Sequence, residues 1–300
     1  MRRAAVVAAG ALLGAGGVLC ACSLLTSLDG FTDGASGTAA GGRDTSVAID
    51  GPTTTDGPTT TDVADAGEAG PSRSALYAAA VLSDNPLGYW RLEETSGNIA
   101  ADQTGAQAGS YLSNPQLGAA GVAGSRAMKL LKATNARMLV ASPAYRFPNL
   151  TPYTVELWAK PGEFKDYQWF GGTERFVGPG RTGWSVLIGG DGVVRYEVWR
   201  PNDGGSDQVR GVLITPSAIS TTAFTHVVIA YTGSEVIGYV NGIKTTTFAT
   251  IGMCPDTGEL LWGCRGDLAH CSDDWTYDEL AVYDTVLGAP RVKAHYDLGK

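Results

Sequence analysis

From about residue 88 onward the chain breaks into short runs of β-branched and aromatic residues separated by clusters of Gly, Asn, Asp and Pro. Among these runs are "GYWRLE", "ARMLVAS", "YTVELWAK", "YQWFGG", "GWSVLIG", "VVRYEVW", "FTHVVIAY", "VIGYVNG" and "YDELAVY". Several alternate with period two: "YTVELWAK" sets Tyr153, Val155, Leu157 and Ala159 on one face and Thr154, Glu156, Trp158 and Lys160 on the other, as a strand with one buried face would. "FTHVVIAY" is apolar on both faces and reads as a central strand. Turn chemistry joins neighbours into hairpins. "GGDG" (Gly189 to Gly192) links "GWSVLIG" to "VVRYEVW", and Asn241-Gly242 supplies the two positive-φ positions of a type I′ loop. A short helix or turn is expected in "ALYAAAVLSDNP", and a helical period returns only in the terminal "GAPRVKAHYDLG". About a dozen antiparallel strands with no βαβ unit predict an all-β, two-sheet sandwich over residues 75–300.

The preceding quarter of the chain has a different character. Residues 1–22 carry Arg2 and Arg3, then an uncharged apolar run from Ala4 to Leu19, the layout of a secretory signal. The run ends in Leu19-Cys20-Ala21-Cys22, which resembles a bacterial lipobox with Cys22 as the lipid-accepting residue. That resemblance implies an exported lipoprotein, delivered to the outer membrane or cell surface and tethered to the membrane by its acyl chains. Residues 23–74 hold one aromatic residue, Phe31, and the tandem repeat "DGPTTTDGPTTTD"; such a segment buries too little apolar surface to offset chain entropy and reads as a disordered acidic linker. The net charge of the chain is -8, and without a basic stripe a nucleic-acid partner is excluded.

Four segments, "DNPLGYWRLEETSGNIAADQTGAQAGSY", "TPYTVELWAKP", "FTHVVIAYTGSEVIGYVNGIKTTT" and "YDELAVYDTVLGAPRVKAHY", follow the order and spacing of the LamG-like jellyroll domains of the concanavalin A-like lectin/glucanase superfamily. The chain resembles that family from about Leu76 to Leu298, with Phe224-Thr225-His226 standing where the family often has Trp-His-His. The resemblance implies a jellyroll sandwich that binds carbohydrate, glycoconjugates or cell-surface proteins. It also implies one structural Ca²⁺ where the loop after the first strand meets the last strand, matching Asp102 and Asp278.

Catalytic chemistry finds little support. The adjacent Glu93 and Glu94 of a strand point to opposite faces. Retaining glucanases of the superfamily need two acids about 5 to 5.5 Å apart, whereas Glu156 has only Trp158 and Lys160 at the next same-face positions. Asp278 and Asp284 would lie about 20 Å apart on an extended strand. No G-x-S-x-G elbow or P-loop occurs, and His226, His270 and His295 read as core or surface residues. Zinc held by Cys254, Cys264, His270 and Cys271 would lack paired C-x-x-C ligands. In an oxidising compartment these cysteines point to a disulfide, Cys254 to Cys271 if the flanking strands are neighbours, with Cys264 to Cys271 the alternative. For a ligand, loop aromatics are the natural platform: Tyr167 and Trp169, Trp199 followed by Asn202 and Asp203, and Trp262 between the cysteines. The expectation is a monomeric, non-catalytic module that binds a glycan or cell-surface partner; an envelope component using the sandwich for assembly is the alternative, and glycoside hydrolysis a more distant one.

Overall fold

The apolar runs form strands, in the order expected from their turns. The structure is a computed structural model and is described for residues 70–148, 150–165, 167–177, 180–200, 208–249 and 258–300; one compact unit spans Ala69–Lys300. Seventeen strands lie among the described residues. The first sheet contains β4 (Gln116–Ala120), β5 (Arg126–Lys129), β7 (Tyr153–Lys160), β13 (Thr225–Tyr231), β14 (Glu235–Val240), β15 (Ile243–Ala249) and β17 (Thr276–Tyr283). They run in the order β15-β14-β13-β7-β17-β5-β4, and β1 (Gly88–Trp90) also pairs with β17. The second sheet contains β2 (Ile99–Ala100), β3 (Gly109–Leu112), β6 (Arg137–Val140), β8 (Gln168–Gly172), β10 (Gly180–Ile188), β11 (Val194–Arg200), β12 (Gln208–Leu213) and β16 (Leu260–Trp262). Its order is β12-β11-β10-β8-β16-β6-β3-β2, with β9 (Arg175–Val177) on β10. Every pairing is antiparallel, so the architecture is the two-sheet jellyroll sandwich.

The main core lies between the sheets. Val155 and Leu157 of β7 meet Val186 and Ile188 of β10, Val194 and Tyr196 of β11, and the rings of Trp90, Trp184, Trp262 and Trp275. Trp90 and Leu92 enter this core while Tyr89 turns to the other side of the sheet, as the parity of "GYWRLE" requires. Its two glutamates part accordingly: Glu93 accepts from Arg91 at 2.8 Å and Glu94 from Tyr111 at 2.6 Å. The hairpin of β14 and β15 closes through Asn241 (φ 51°) and Gly242 (φ 76°), the left-handed pair that a type I′ turn demands.

One face behaves differently from its pattern. The alternation in "YTVELWAK" suggests a half-buried strand, yet Thr154, Glu156 and Trp158 are as buried as their neighbours. Two helices cover them: α1 (Arg73–Ser83), capped by Ser72 Oγ on Ala75 N–H, and α2 (Ala289–Gly299), opened by Pro290 in its first turn. Tyr77 and Val81 of α1, with Val292 of α2, pack on Trp158, Val228, Ala230 and Ala281 as a second apolar layer. The polar centre of that layer is Glu156, which accepts from Tyr77 (2.9 Å), His226 (2.8 Å), His295 (3.0 Å) and Tyr283 (2.7 Å). Every one of those donors is buried. Glu156, His226 and His295 thus fasten both helices to the sandwich.

Candidate functional site

With the helices on the first sheet, the candidate site lies on the outer face of the second. On β10 and β11 the even residues Trp184, Val186, Ile188, Val194, Tyr196 and Val198 are buried in the core. The odd residues Arg181, Ser185, Leu187, Arg195, Glu197 and Trp199 therefore face outward. Gly183 stands opposite Trp199 in the register, and the Arg181 guanidinium lies 4.4 Å from the Trp199 ring centroid. On β8, Trp169 lies opposite Leu187. The loop after β16 then folds back over this face, bringing Arg265 to 5.0 Å from the Trp169 ring and stacking His270 on it at 5.5 Å.

The result is a groove of about 440 Å³ lined by Tyr167, Trp169, Arg181, Glu197, Trp199, Arg265 and His270. Its wall is a covalent staple. Cys264 and Cys271 form a disulfide with Cα atoms 4.0 Å apart, and Arg265 N–H donates to His270 C=O at 3.2 Å. The Arg265 side chain is buried and forked onto the exposed Asp267, at 2.8 and 2.6 Å, so this Arg-Gly-Asp tripeptide is folded on itself.

The electrostatics of the groove are those of paired charges. Arg181 reaches Glu174 Oε1 at 3.3 Å. Burial pushes the Glu174 carboxyl up to about 7, against the pull of Ser185 and Arg181. Burial likewise raises Glu197, with Arg181 and Arg195 opposing. Burial and then the Arg265 charge lower His270, which favours a neutral ring able to donate and accept hydrogen bonds. Among the described residues the groove therefore offers two guanidinium groups, the Glu197 carboxylate, an imidazole and three aromatic rings.

The expected site residues divide. Tyr167, Trp169 and Trp199 converge on this groove. Tyr167 is 53% exposed at its rim, whereas Trp169 is 3% exposed and forms the floor under Arg265 and His270. Asn202 and Asp203 lie outside the described residues, as does Cys22. Trp262 is a correction: it is fully buried. "ELLW" reads as a loop before Cys264 but forms the short central strand β16, where Trp262 shares parity with Leu260 and points between the sheets against Gly171.

The disulfide is a second correction, because Cys271 pairs with Cys264 and not with Cys254. The Cys254 reading needed the strand before it to neighbour β17, yet β15 is the sheet edge with β14, β13 and β7 between them. Cys254 itself lies outside the described residues.

Asp102 and Asp278, the pair expected to share a Ca²⁺, are each engaged within the fold. Asp102 already receives Tyr89 N–H (2.9 Å), Thr104 N–H (3.0 Å), Thr104 Oγ1 (2.7 Å) and Gln107 N–H (2.8 Å). Four donors saturate a carboxylate, so Asp102 builds a turn and has no lone pair to give a cation. Asp278 is buried, accepts from Val122 N–H (2.8 Å) and Ser125 Oγ (2.6 Å), and is pushed up by burial and by Glu279. Among the described residues no group of three His, Cys, Asp or Glu side chains forms a metal-binding cluster; Asp102 spends its lone pairs on its turn, while Asp278 keeps one buried oxygen without a hydrogen-bond partner. Arg181, Glu197, Arg265 and His270 were not singled out as binding residues. The period-two parity of "VVRYEVW" could have placed Glu197 beside Trp199; nothing local could have brought in the other three.

A sheet face closed by a stapled loop and lined by aromatic and hydrogen-bonding groups defines the class: a lectin-like jellyroll domain. Residues 134–293 match a laminin G family model, and the chain belongs to the concanavalin A-like lectin/glucanases superfamily. No curated protein sequence matches the chain. Similar solved structures include the binding domain of Paraclostridial Mosquitocidal Protein 1, at 13% identity and TM-score 0.57, covering 72% of this chain and 52% of that one. The botulinum neurotoxin serotype D binding domain is similar at 11% identity and TM-score 0.54, covering 73% and 52%. A mutant Trypanosoma rangeli sialidase displaying trans-sialidase activity is similar at 14% identity and TM-score 0.56, covering 73% and 34%. The chain thus spans about half the length of the toxin binding domains and a third of the sialidase, and the likeness is one of fold.

Proposed function

We propose that this chain is an exported, non-catalytic binding module that recognises carbohydrate, free or on a glycoconjugate, through the groove between Tyr167 and Trp199. The observation that carries the reading is the convergence of Tyr167, Trp169 and Trp199 with Arg181, Glu197, Arg265 and His270 on one groove of a sheet face. Sugars are bound by an apolar ring face on an aromatic together with hydroxyls shared among planar polar groups, and those groups are assembled here. The carboxyl inventory favours binding over cleavage. Most glycoside hydrolysis needs two acids flanking one bond, but Glu174 is 5% exposed beneath Arg181 and, among the described residues, Glu197 is the carboxylate that lines the groove. The leader and Cys22 support anchorage at the cell surface, with residues 23–74 as the spacer that holds the module away from the membrane; metabolic labelling with a fatty acid, lost on Cys22→Ala, tests the anchor.

The test of the binding reading is a glycan array followed by calorimetric titration of each hit. Trp199→Ala removes one aromatic wall and is expected to weaken binding about tenfold, or ~1.4 kcal/mol, while the melting temperature holds. A blank array, or hits indifferent to Trp199→Ala and Glu197→Gln, would overturn it and leave assembly within the envelope as the role of the sandwich.

A further inference from the structure

The groove does not end at its own rim. Tyr167 also lines two smaller cavities: one of about 210 Å³ with Gly189, Gly190, Asp191 and Arg195 at the β10–β11 turn, and one of about 220 Å³ with Asn135, Lys165, His270 and Asp273. Each is below the roughly 300 Å³ at which a cavity holds a small ligand by itself. The three meet at one residue. Tyr167 has φ 52°, a left-handed conformation uncommon for a bulky side chain, and it stands 53% exposed on the border of all three cavities. Along β11 the polar side chains extend from Arg195 to Trp199, about 13 Å at the strand rise, which is more than one sugar ring requires.

The charges along this surface cancel locally. Arg195 is forked onto Asp191 at 2.9 and 2.6 Å, and Lys165 binds Asp273 at 2.7 Å and Glu163 at 3.1 Å. Arg265 has Asp267, and Arg181 has the partly ionised Glu174 together with Glu197, whose charged form it favours. A polyanion would have to displace a carboxylate at each of these points, whereas a hydroxyl can bridge a guanidinium and its carboxylate without separating them. An extended peptide fits less well, because strand addition needs a free sheet edge and this surface is the face of a sheet whose backbone groups are consumed in the ladder.

Resting on the proposed carbohydrate binding, we propose that the ligand is a linear, uncharged glycan that crosses Tyr167 and occupies the cavities on its several sides, not a single terminal sugar and not an acidic polysaccharide. The experiment is calorimetric titration of the full chain with β-1,4-linked glucose, mannose and N-acetylglucosamine oligomers of increasing length, against uronate oligomers and an unrelated extended peptide. At least one neutral series should gain tenfold or more in affinity between disaccharide and tetrasaccharide. Tyr167→Ala should remove that gain, and Trp199→Ala should weaken all lengths alike; Tyr167 is exposed, so its truncation does not threaten the fold. Length-independent binding would overturn the inference and leave the carbohydrate reading standing. Tighter, salt-sensitive binding of the uronates would overturn its neutrality. Binding of the peptide alone, or of nothing, would overturn both.

Discussion

Replacing Glu156 by Gln tests what fastens the two helices to the sandwich. The carboxylate is fully buried and takes Tyr77 from α1, His295 from α2, His226 from β13 and Tyr283 from β17. An amide turns one acceptor into a donor among donors and leaves the His295 charge with Asp84, 3.1 Å away, as its remaining carboxylate. Removing one partner of a buried pair costs about 3–5 kcal/mol, which in a domain of this size lowers the melting temperature by roughly 6–20 °C. The pH profile adds a signature. Burial alone would push Glu156 up, but the His295 charge and the hydrogen bonds of His226 and His295 outweigh it and hold it well below its ordinary 4.5. Burial would lower His295, but Glu156 and then Asp84 outweigh that and raise it above 6.5. A lowered carboxyl stabilises above its unfolded value and loses this as pH falls through the folded one. A raised imidazole stabilises below its unfolded value and loses this as pH rises through the folded one. The difference between wild type and Glu156→Gln, read by scanning calorimetry, should therefore be greatest from about pH 4.5 to 6.5 and shrink on the alkaline side. Should the variant not fold, Tyr283→Phe removes a single donor to the charge and is expected to cost about 1.5–3 kcal/mol. A negligible shift at pH 5.5, or a difference that is flat across this range and into the alkaline one, would show that apolar packing of Tyr77, Val81 and Val292 holds the helices unaided.

Other perturbations follow from the same coordinates. Trp262→Ala should destabilise by about 3–5 kcal/mol, as a buried aromatic does, which separates it from the near-neutral Trp199→Ala in thermal melts. Gly171→Ala places a Cβ against the Trp262 ring and 2.9 Å from Leu261 O, and is expected to cost about 1–3 kcal/mol by overpacking in denaturant titration. Cys271→Ser opens the staple, with a loss of about 2–3 kcal/mol and weaker ligand binding, since Arg265 and His270 are the wall it holds. Chelation by EDTA should leave the melting temperature unchanged; a calcium-dependent melt would mean that an ion binds the native state and would refute the assignment of Asp102 to its turn.

What could be read from the chain follows from how far each residue's determinants extend along it. Asn241-Gly242 and the parity of Trp90 and Leu92 depend on neighbours within a few positions, and both emerge in the structure as the pattern implies. The outer face of β7 does not: Thr154, Glu156 and Trp158 look solvent-facing by period two, and only the distant arrival of α1 and α2 makes Glu156 a buried anchor for His226 and His295. A mid-strand Glu among apolar residues, in a chain with two histidines in otherwise apolar or helical segments, was the available hint of a buried charge with partners. Trp262 failed in the opposite direction. Three residues of strand between Gly258 and Gly263 carry too little period to be distinguished from a loop, and its burial depends on β8 and β6 arriving on either side.

The binding face shows the same limit most sharply. Trp169, Arg181, Glu197, Trp199, Arg265 and His270 come from β8, β10, β11 and the stapled loop, a span of about a hundred residues, and no local pattern relates them. The aromatic members could be singled out by composition because Trp and Tyr are rare enough to count. The arginines could not, since a guanidinium becomes informative only when seen stacked on Trp199 or Trp169 and tied to Glu174 or Asp267. Those pairings decide the chemistry of the groove. The same two arginines read in isolation would suggest an anionic ligand; with their carboxylates in place, they form hydrogen-bonding frames of little net charge, suited to hydroxyl groups in a row.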